Sequence, residues 1–307
     1  MARPAGGKAN RRAIDGVLLL DKPAGITSHR AVQAVRRLLG GPKAGHTGTL
    51  DPLATGLLPI CLGEATKFSH LLLDADKRYL AGIRLGMTTT TGDLEGEVTS
   101  RAPVSAGRAD VEKALERFRG EILQTPPMYS AIKLDGTPLY KHARAGREVS
   151  RAARKVTIAE LVLVDAADDT VTVRVTCSKG TYIRVLAEEI GRALGCGACL
   201  SALRREAVGE FDLSRAVGID HLEGLSPEQR EASLLPVDAL VARLPRLDLD
   251  AGDTRRLTQG QAVQHPEARV AGLARIYGPG PEFLGVAEVI APGRLVARRL
   301  RSQSLAA

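Results

Sequence analysis

The sequence of 307 residues predicts an α+β fold, divided into one large domain and one small C-terminal domain. Strand-like alternation and helix-like spacing of apolar residues both occur between residues 16 and 246. Short strand-like runs separated by glycines follow from about Leu247 and predict a small β-barrel. The hydrophobic fraction of 44% is sufficient for a sizeable core, and because Trp is absent, aliphatic side chains must fill most of it.

The first elements are predicted by short patterns near the N-terminus. Residues 1–15 contain four basic side chains among glycines, which predicts a disordered basic lead-in. The apolar run at residues 17–20 suits a buried strand. Ser28 is suited to cap the helix that follows, and the two glycines at residues 40–41 predict where that helix ends.

The middle of the chain alternates helices and strands. The pattern predicts a short helix at residues 65–73 and a strand at residues 77–85 with Tyr79 on its apolar face. An amphipathic helix at residues 111–118 is expected to be closed by Gly120. Residues 124–153 are rich in proline, glycine and basic side chains. An insertion of this length inside a compact domain is typical of a functional or mobile segment.

Two strands and a helix complete the large domain. Residues 156–164 and 170–177 alternate like paired strands, with a turn at residues 167–169. A helix is expected over residues 182–194, and Arg184 lies in its first turn. The helix dipole disfavours a cation at that end, so an anionic partner would account for Arg184. An exposed surface position explains it equally well.

The charge of the chain favours an anionic partner. The formal charge is +8 and the sequence pI is about 9.5. Such a surface attracts nucleic acid, because each neutralised phosphate releases counterions. Residues 253–301 carry eight arginines against four acidic residues, so the short strands there suggest a small RNA-binding barrel.

Several other classes of protein are not favoured. No stretch approaches the roughly 20 apolar residues of a membrane helix, and the first 13 residues lack an apolar signal core, so a soluble cytoplasmic protein is expected. Cys196 and Cys199 have the spacing of half a zinc site without a second pair, so buried thiols and no metal are expected. His46 stands where a nucleotide-binding loop needs its lysine, which excludes that motif.

Residues 45–59, GHTGTLDPLATGLLP, combine a reactive side chain with residues that make a poor helix or strand. The glycines permit tight turns, and Pro52 holds the preceding Asp51 in an extended conformation. The surrounding leucines are expected to pin this loop against a core. Asp51 is therefore a candidate nucleophile or base, although Asp-Pro is also a common start of a turn.

Four separated motifs together resemble the TruB family of tRNA pseudouridine synthases. They are DKPAGITS at residues 21–28, the run at residues 45–59, KRY at residues 77–79 and GTYIR at residues 180–184. The resemblance implies a pseudouridine-synthase fold over residues 16–246, with a mixed, mostly antiparallel sheet and flanking helices. It also implies a PUA-like RNA-binding β-barrel over residues 247–307. Residues 124–153 would be an insertion that grips the tRNA stem-loop.

The resemblance further implies a reaction and a partner. The family converts uridine-55 in the T loop of tRNA to pseudouridine, with the target base flipped out of its stack. No electrons enter or leave, so no cofactor and no metal are expected. The expectation is a cytoplasmic monomer that binds the T stem-loop of tRNA, without a membrane or a protein partner.

The site residues follow from matching the motifs one by one. Asp51 is expected to be the catalytic carboxylate and to pair with Arg184. Tyr79 matches the position that stacks on the target base and lies near its C5 atom. His46 matches a histidine that occupies the space left by the flipped base. The other expected substrate-binding residues are Tyr182 and Leu203 as pocket walls, and Lys22 in a loop beside the site, where it could contact phosphate.

The chemical route and one rival function stay open at this point. Asp51 could attack C1′ or C6 of the uridine, or remove a proton from the ribose. Arg204 and Arg205 could reach the RNA backbone. The rival is an RNA-binding protein that helps tRNA to fold. Asp51, Tyr79 and Arg184 favour the enzyme, because a carboxylate that faces phosphates only weakens simple binding.

Overall fold

The computed structural model describes residues 14–41 and 43–302. Most of the expected basic lead-in therefore lies outside the described residues. Its last two residues belong to the fold, which corrects the expected boundary. Ile14 is buried in the core, and the Asp15 carboxylate accepts a hydrogen bond of 2.8 Å from the main-chain N–H of Glu64.

The larger part of the described chain contains thirteen strands and seven helices. The strands are β1 Gly16–Lys22, β2 Ala44–His46, β3 Thr55–Leu62, β4 Lys77–Leu85, β5 Met87–Thr89, β6 Val98–Arg101, β7 Gly120–Gln124, β8 Lys133–Leu134, β9 Thr137–Pro138, β10 Arg154–Ala167, β11 Thr170–Cys177, β12 Ala198–Val208 and β13 Phe211–Asp212. The helices are α1 Ser28–Leu38, α2 Ser69–Leu73, α3 Arg108–Glu116, α4 Leu139–Arg144, α5 Ile183–Ala193, α6 Ile219–Gly224 and α7 Pro227–Ala232. Short 3₁₀ turns at Gly63–Lys67, Leu213–Arg215 and Val237–Val241 connect some of these elements.

These strands form one large mixed sheet and two small hairpins. The path of the large sheet is β1-β3-β12-β4-β11-β10-β7, with β13 beside β12 and β2 beside β3. Its pairs are antiparallel except for the parallel contact between β12 and β3. The expectation of a mixed, mostly antiparallel sheet with flanking helices is confirmed.

The main core lies on one face of the large sheet. Alternate residues of β4, starting with Tyr79, are buried, as the period of two predicts. They pack together with the apolar faces of α1, α3 and α5 in one hydrophobic cluster. The expected pairing of β10 with β11 is also present, so the sequence pattern located this core correctly.

Three local expectations need correction. The cap of α1 is Thr27, whose side chain accepts from the N–H of Arg30, because Ser28 bonds instead to the loop that carries Asp51. The helix expected at residues 65–73 is broken into a 3₁₀ turn and α2 at Phe68. Gly120, expected to close α3, instead opens β7, since its φ of 81° turns the chain into the sheet.

The basic insertion at residues 124–153 contains a small hairpin, formed by β8 and β9, followed by helix α4. Leu139, the first residue of α4, is buried, whereas the basic side chains are mostly exposed. Exposed basic residues are Lys133, Lys141, Arg144 and Arg147. The insertion thus presents positive charge from a folded unit next to the large sheet.

The C-terminal part forms a separate five-stranded sheet that curls into a half-barrel. Its elements are β14 Arg246–Asp248, α8 Ala251–Thr258, β15 Val263–Gln264, β16 Gly272–Tyr277, β17 Phe283–Ala291 and β18 Arg294–Leu300. Phe283 packs with Phe68 and Tyr277 behind the large sheet. Its ring centroid lies 5.4 Å from that of Phe68 and 5.6 Å from that of Tyr277. No helix among the described residues is long and apolar enough to cross a membrane.

Candidate active site

A cleft of about 360 Å³ opens where the loop before β3 meets the start of α5. Residues from the strands β4 and β12 form its floor, and residues 130–132 of the insertion form one wall. Its lining includes Gly48, Asp51, Lys77, Tyr79, Ser130, Tyr182, Arg184, Leu203 and Arg205. Five of the seven predicted site residues therefore meet in one cleft, and the other two, His46 and Lys22, do not line it.

The loop that carries Asp51, here the Asp51 loop (residues 47–54), is held from below. The Ser28 hydroxyl donates to the carbonyl of Leu50 at 3.0 Å and accepts from its N–H at 2.8 Å. The N–H of Gly25 donates to the carbonyl of Pro52 at 2.9 Å. Leu50 is buried, as the leucine pattern predicted. These contacts fix the main chain on both sides of the carboxylate.

Lys22 supports the same loop and does not face the cleft. Its buried ammonium donates to the carbonyls of Pro23 and Ile26, both at 2.8 Å, and lies 3.4 Å from that of Pro52. Burial lowers the pKa of Lys22 to about 8, although the negative charge of Asp51 opposes this. Since its donors are used internally, the expected contact with substrate phosphate is not possible, and that expectation is corrected.

Asp51 forms an ion pair with Arg184. The Arg184 Nε atom lies 2.9 Å from Asp51 Oδ2, and the Arg184 side chain is only 5% exposed against 39% for Asp51. The two remaining nitrogens of the guanidinium donate to the carbonyls of Thr91 and Tyr129, each at 2.7 Å. The arginine is therefore locked by three loops and presents a fixed positive charge to a carboxylate that stays open to the cleft.

Asp93 is a second carboxylate on Arg184 that sequence reasoning missed. It is buried, and its Oδ2 atom lies 3.5 Å from Arg184 Nε. The N–H of Glu95 and the hydroxyl of Thr91 donate to its other oxygen. The only signal in the sequence was its place in a polar loop, and nothing local indicates that this loop reaches α5.

The start of α5 is aligned by the insertion. The N–H of Tyr182 donates to Oε1 of Gln124 at 3.0 Å, and Nε2 of Gln124 donates back to the Tyr182 carbonyl at 3.4 Å. Gln124 is almost fully buried at the end of β7. Burial also raises the pKa of the Tyr182 phenol, whose ring lines the cleft. The insertion and the helix that carries Arg184 are thus joined at their first residues.

Tyr79 and Leu203 form an apolar floor on neighbouring strands. Each side chain is 8% exposed, and both line the cleft. Burial raises the pKa of Tyr79, while the neighbouring Arg205 opposes that effect. A flat ring with its face in a narrow cleft can stack on a planar ligand.

Arg204 and Arg205 both bond to neighbouring strands, but only Arg205 is buried. Arg204 forms a bidentate pair with the Asp21 carboxylate at 3.0 and 2.7 Å. Arg205 is 1% exposed and donates from Nε to the carbonyl of Leu57 at 2.7 Å. The expectation that Arg205 reaches an RNA backbone is therefore wrong, because strand β12 turns Arg205 into the cleft floor. Arg204 points toward β1 but its side chain is 40% exposed beside Asp21, so its contact with RNA stays a prediction.

His46 lies in β2, one step outside the cleft. Its Nδ1 atom accepts a hydrogen bond of 3.2 Å from the N–H of Gly48, a residue that lines the cleft. Burial lowers the pKa of His46, and the positive charge of Arg205 and of His29 adds to this. The imidazole is accordingly neutral near pH 7, and its contact with Gly48 lies at the start of the Asp51 loop.

Lys77 is a further cleft residue that the KRY motif contains but that sequence reasoning did not single out. Its ammonium donates to the carbonyls of Leu73 and Ala75 at 2.5 and 2.6 Å, at the end of α2. Burial lowers its pKa to about 8. A cation at a helix C-terminus is the favourable arrangement for the helix dipole.

The cysteines and acidic residues show no metal-binding arrangement. The four cysteines are unpaired and buried, which confirms the expectation of small buried thiols. Within residues 14–41 and 43–302, no group of three or more His, Cys, Asp or Glu side chains could hold a metal ion.

Comparison with known proteins assigns the family. The model described as "TruB family pseudouridylate synthase (N terminal domain)" matches residues 36–183. Two further models match the rest: "tRNA pseudouridylate synthase B C-terminal domain" at residues 184–242 and "Pseudouridine synthase II TruB, C-terminal" at residues 245–300. The chain belongs to the TruB family.

Curated TruB relatives match almost the full chain. A tRNA pseudouridine synthase B from Aromatoleum aromaticum is 55% identical over 292 residues, which cover 95% of this chain and 94% of the relative. Proteins of the same name from Azoarcus sp. and Burkholderia mallei are each 54% identical, over 294 and 296 residues. The TruB resemblance seen in the four motifs is confirmed.

Solved structures agree with the TruB fold. A chain from a structure described as a Cbf5-Nop10-Gar1 complex superposes with a TM-score of 0.70 at 27% identity, covering 94% of this chain and 84% of that chain. A chain from an H/ACA RNP bound to a substrate RNA gives the same TM-score at 23% identity and shows the fold alone. The predicted pseudouridine-synthase fold with a PUA-like C-terminal domain is confirmed.

Proposed function

We propose that this chain isomerises uridine to pseudouridine in tRNA, at uridine-55 of the T loop, with Asp51 as the catalytic carboxylate. The observation that carries the proposal is the Asp51 carboxylate in the cleft, 2.9 Å from the buried guanidinium of Arg184. Membership of the TruB family and the similarity to proteins named tRNA pseudouridine synthase B support the reaction and the substrate.

The reaction is an isomerisation, so its atoms and electrons balance within the nucleoside. The bond between N1 and C1′ breaks, the uracil rotates, and a bond forms between C5 and C1′. C5 then loses its hydrogen as a proton, and N1 carries a proton in the product. No oxidant, reductant or phosphate is consumed, so the proposed mechanism uses no cofactor and no metal.

Asp51 acts in its ionised form in each of the routes that remain open. It attacks C1′ or C6 of the uridine, or it removes a proton from the ribose. Arg184 supports this role, because an opposite charge at hydrogen-bonding distance favours the ionised carboxylate and directs it. The ion pair uses Oδ2 of Asp51, which leaves the other oxygen to reach the substrate.

The cleft floor receives the flipped base. Stacking on Tyr79 replaces part of the stacking that the base loses, about 1–3 kcal/mol. Tyr182 and Leu203 form the walls, and the Tyr79 hydroxyl lies on the side where C5 loses its proton. His46, behind Gly48, fills the space that the base leaves, so its contribution is to flipping and not to the chemical step.

The rest of the molecule supplies the grip on tRNA. The insertion at residues 124–153 holds the T stem-loop, and the basic C-terminal sheet adds contacts to the backbone. Asp51, Tyr79 and Arg184 all come from one chain, so one chain is sufficient for the site. We extend the proposal to a cytoplasmic monomer that needs no protein partner.

Tritium release from tRNA with 5-³H-uridine tests the reaction directly. The intact protein releases tritium, because C5 loses its hydrogen as the new bond forms. Asp51→Asn keeps the shape but removes the charge, and it lowers single-turnover release by at least about 100-fold while tRNA binding is retained. Turnover by a pure Asp51→Asn protein would show that Asp51 is not the catalytic carboxylate. A folded, tRNA-binding wild type that releases no tritium would favour the rival function in RNA folding.

A further inference from the structure

Arg205 is a buried cation in the cleft floor whose role is not covered by the proposed function. Besides its bond to the Leu57 carbonyl, its guanidinium donates to the carbonyl of Gly48 at 3.1 Å and lies 3.5 Å from that of Thr49. Gly48 and Thr49 lead directly to Asp51. The arginine therefore ties strand β12 to β3 and to the first half of the Asp51 loop.

Strand geometry places Arg205 beside Tyr79. The two residues are direct cross-strand partners of β12 and β4, and both line the cleft. On its other side Arg205 is the parallel partner of Gly56 in β3. Irregularities in β12 before Ala202 and after Arg205 interrupt the pairing with β4. Such bulges reorient side chains next to functional sites, and here they bracket the segment that faces the cleft.

Besides forming these hydrogen bonds, Arg205 changes the pKa of neighbouring side chains through its positive charge. It lowers the pKa of Tyr79 against the raising effect of burial. The same charge contributes to the lowered pKa of Lys77 and His46. Arg205 thus gives the cleft floor a fixed positive charge that favours negative charge on the phenol oxygen.

A purely structural role does not explain an arginine at this position. Burying a guanidinium is unfavourable unless its donors are used, and an apolar side chain can fill the same volume. The chain uses an arginine whose acceptors are all on the Asp51 side of the cleft and whose cross-strand neighbour is Tyr79. Its bond to Gly48 holds the chain that leads to Asp51, and its charge acts on the Tyr79 phenol.

We propose that Arg205 is a positioning residue that holds the Asp51 loop and the Tyr79 hydroxyl in one fixed geometry for removal of the C5 proton. The inference rests on the proposed function. In this step the phenol oxygen receives the C5 proton while its own proton passes to water. The electron pair of the C5–H bond forms the C5=C6 double bond. The pair that this displaces from C6 goes to N1, which takes up a proton, or to the departing Asp51 oxygen if Asp51 had added at C6.

A double-mutant cycle tests whether Arg205 acts through Tyr79. In single-turnover tritium release with saturating protein, Arg205→Lys lowers the rate by about 10-fold or more, and tRNA affinity is unchanged. In the Tyr79→Phe background the same substitution has a much smaller effect, because the hydroxyl it orients is gone. If the rate losses of the two single variants simply multiply in the double variant, the proposal is overturned. Arg174→Lys, on the exposed face of β11, is the matched control and leaves the rate unchanged.

A deuterium isotope effect keeps the test valid if Arg205→Lys folds poorly. The rate ratio between tRNA with 5-¹H- and 5-²H-uridine does not depend on the fraction of protein that is folded. Arg205→Lys should show a primary isotope effect, because loss of the C5 proton becomes slow. A reduced rate without any isotope effect would assign Arg205 to loop stability only and overturn the proposal. Absence of release by the wild type would instead contradict the proposed function itself.

Discussion

At the scale of the residue, Arg184 is the side chain on which the site depends. Its three nitrogens have separate acceptors, on the Asp51 loop, on the loop at Thr91 and on the insertion at Tyr129. A buried guanidinium is costly unless its donors are used, and here each of the three nitrogens donates to an acceptor. Removing any one of these three acceptors would therefore disturb the direction of the charge that faces Asp51.

Tyr79→Phe separates the ring of Tyr79 from its hydroxyl. The ring still stacks on the base, so tRNA binding is expected to stay within about 2-fold. Loss of the hydroxyl is expected to slow single-turnover tritium release by about 100-fold, the usual range for a general acid or base. Full activity of Tyr79→Phe would mean that stacking is sufficient. It would also remove the basis for the role of Arg205.

Lys22→Met tests the buried ammonium below the Asp51 loop through the pH dependence of stability. The pKa of Lys22 is about 8 in the fold against 10.5 in the unfolded chain. Between these values the unfolded state binds more protons, so the free energy of unfolding of the wild type rises with pH, by at most about 3 kcal/mol from this group. Urea unfolding from pH 7.5 to 10.5 should show the wild type gaining stability relative to Lys22→Met. A difference that is flat or falls contradicts the assignment.

At the scale of the element, the contact between β3 and β12 fixes the position of the Asp51 loop. The two strands run parallel over only two residue pairs, Arg204 with Thr55 and Arg205 with Gly56. Gly56 has a φ of 99°, and its position leaves no space for a side chain. The close approach of two main chains lets Arg205 reach back to Gly48.

Gly56→Ala is expected to be strongly destabilising. A Cβ atom there would lie 2.3 Å from the Arg205 carbonyl oxygen and 2.7 Å from its nitrogen. Overpacking and strained backbone together should lower the free energy of unfolding by about 2–4 kcal/mol.

Gly136→Ala is the matched control, because its φ is 80° but nothing lies within 4 Å of the added Cβ. It should cost only about 1–2 kcal/mol for the left-handed backbone. Denaturant unfolding measures both variants. Equal losses of stability in the two proteins would show that the main chains of Gly56 and Arg205 do not approach so closely.

At the scale of the whole molecule, the C-terminal sheet packs against elements next to the cleft. The cluster that includes Phe68, Tyr277 and Phe283 joins this sheet to the 3₁₀ turn and α2. The first and last described segments meet there too, since Arg301 lies 3.4 Å from the Asp15 carboxylate. Helix α2 in turn ends at the carbonyls that hold Lys77 in the cleft.

The salt dependence of tRNA binding tests the basic insertion. Replacing three exposed basic side chains with Ala should reduce the slope of log K against log salt by about 0.7–0.9 for each phosphate that is no longer neutralised. The residues are Lys133, Lys141 and Arg144. A filter-binding titration between about 50 and 300 mM salt, a range of about sixfold that suits counterion release, measures the slope.

The control removes the same charge from the exposed face of α3. Its residues are Arg108 and Lys113 in α3 and Arg117, which directly follows the helix. Because α3 is not part of the insertion, its variant should leave the slope close to that of the wild type. An equal reduction in both variants would mean that net charge, and not the insertion, sets the affinity.

The sequence by itself determined the local elements and the family. Periods of two and 3.6 placed β4, β10, β11 and α5 within a few residues, because each buries one face against the same core. The leucines around Asp51 predicted a pinned loop, and Leu50 is buried. The motifs identified the family because each is a short, contiguous run of residues that can be read in the sequence without knowing the fold.

Only the tertiary structure decided which charged side chains face the cleft. Lys22 and Arg205 look like surface cations in the sequence, yet both are buried and bind main-chain carbonyls. Asp93 joins Arg184 across about ninety residues of chain, a contact that no local pattern encodes. The direction of a charged side chain depends on which strands meet, on the register of their pairing and on the bulges of β12. These are long-range contacts that local spacing does not contain.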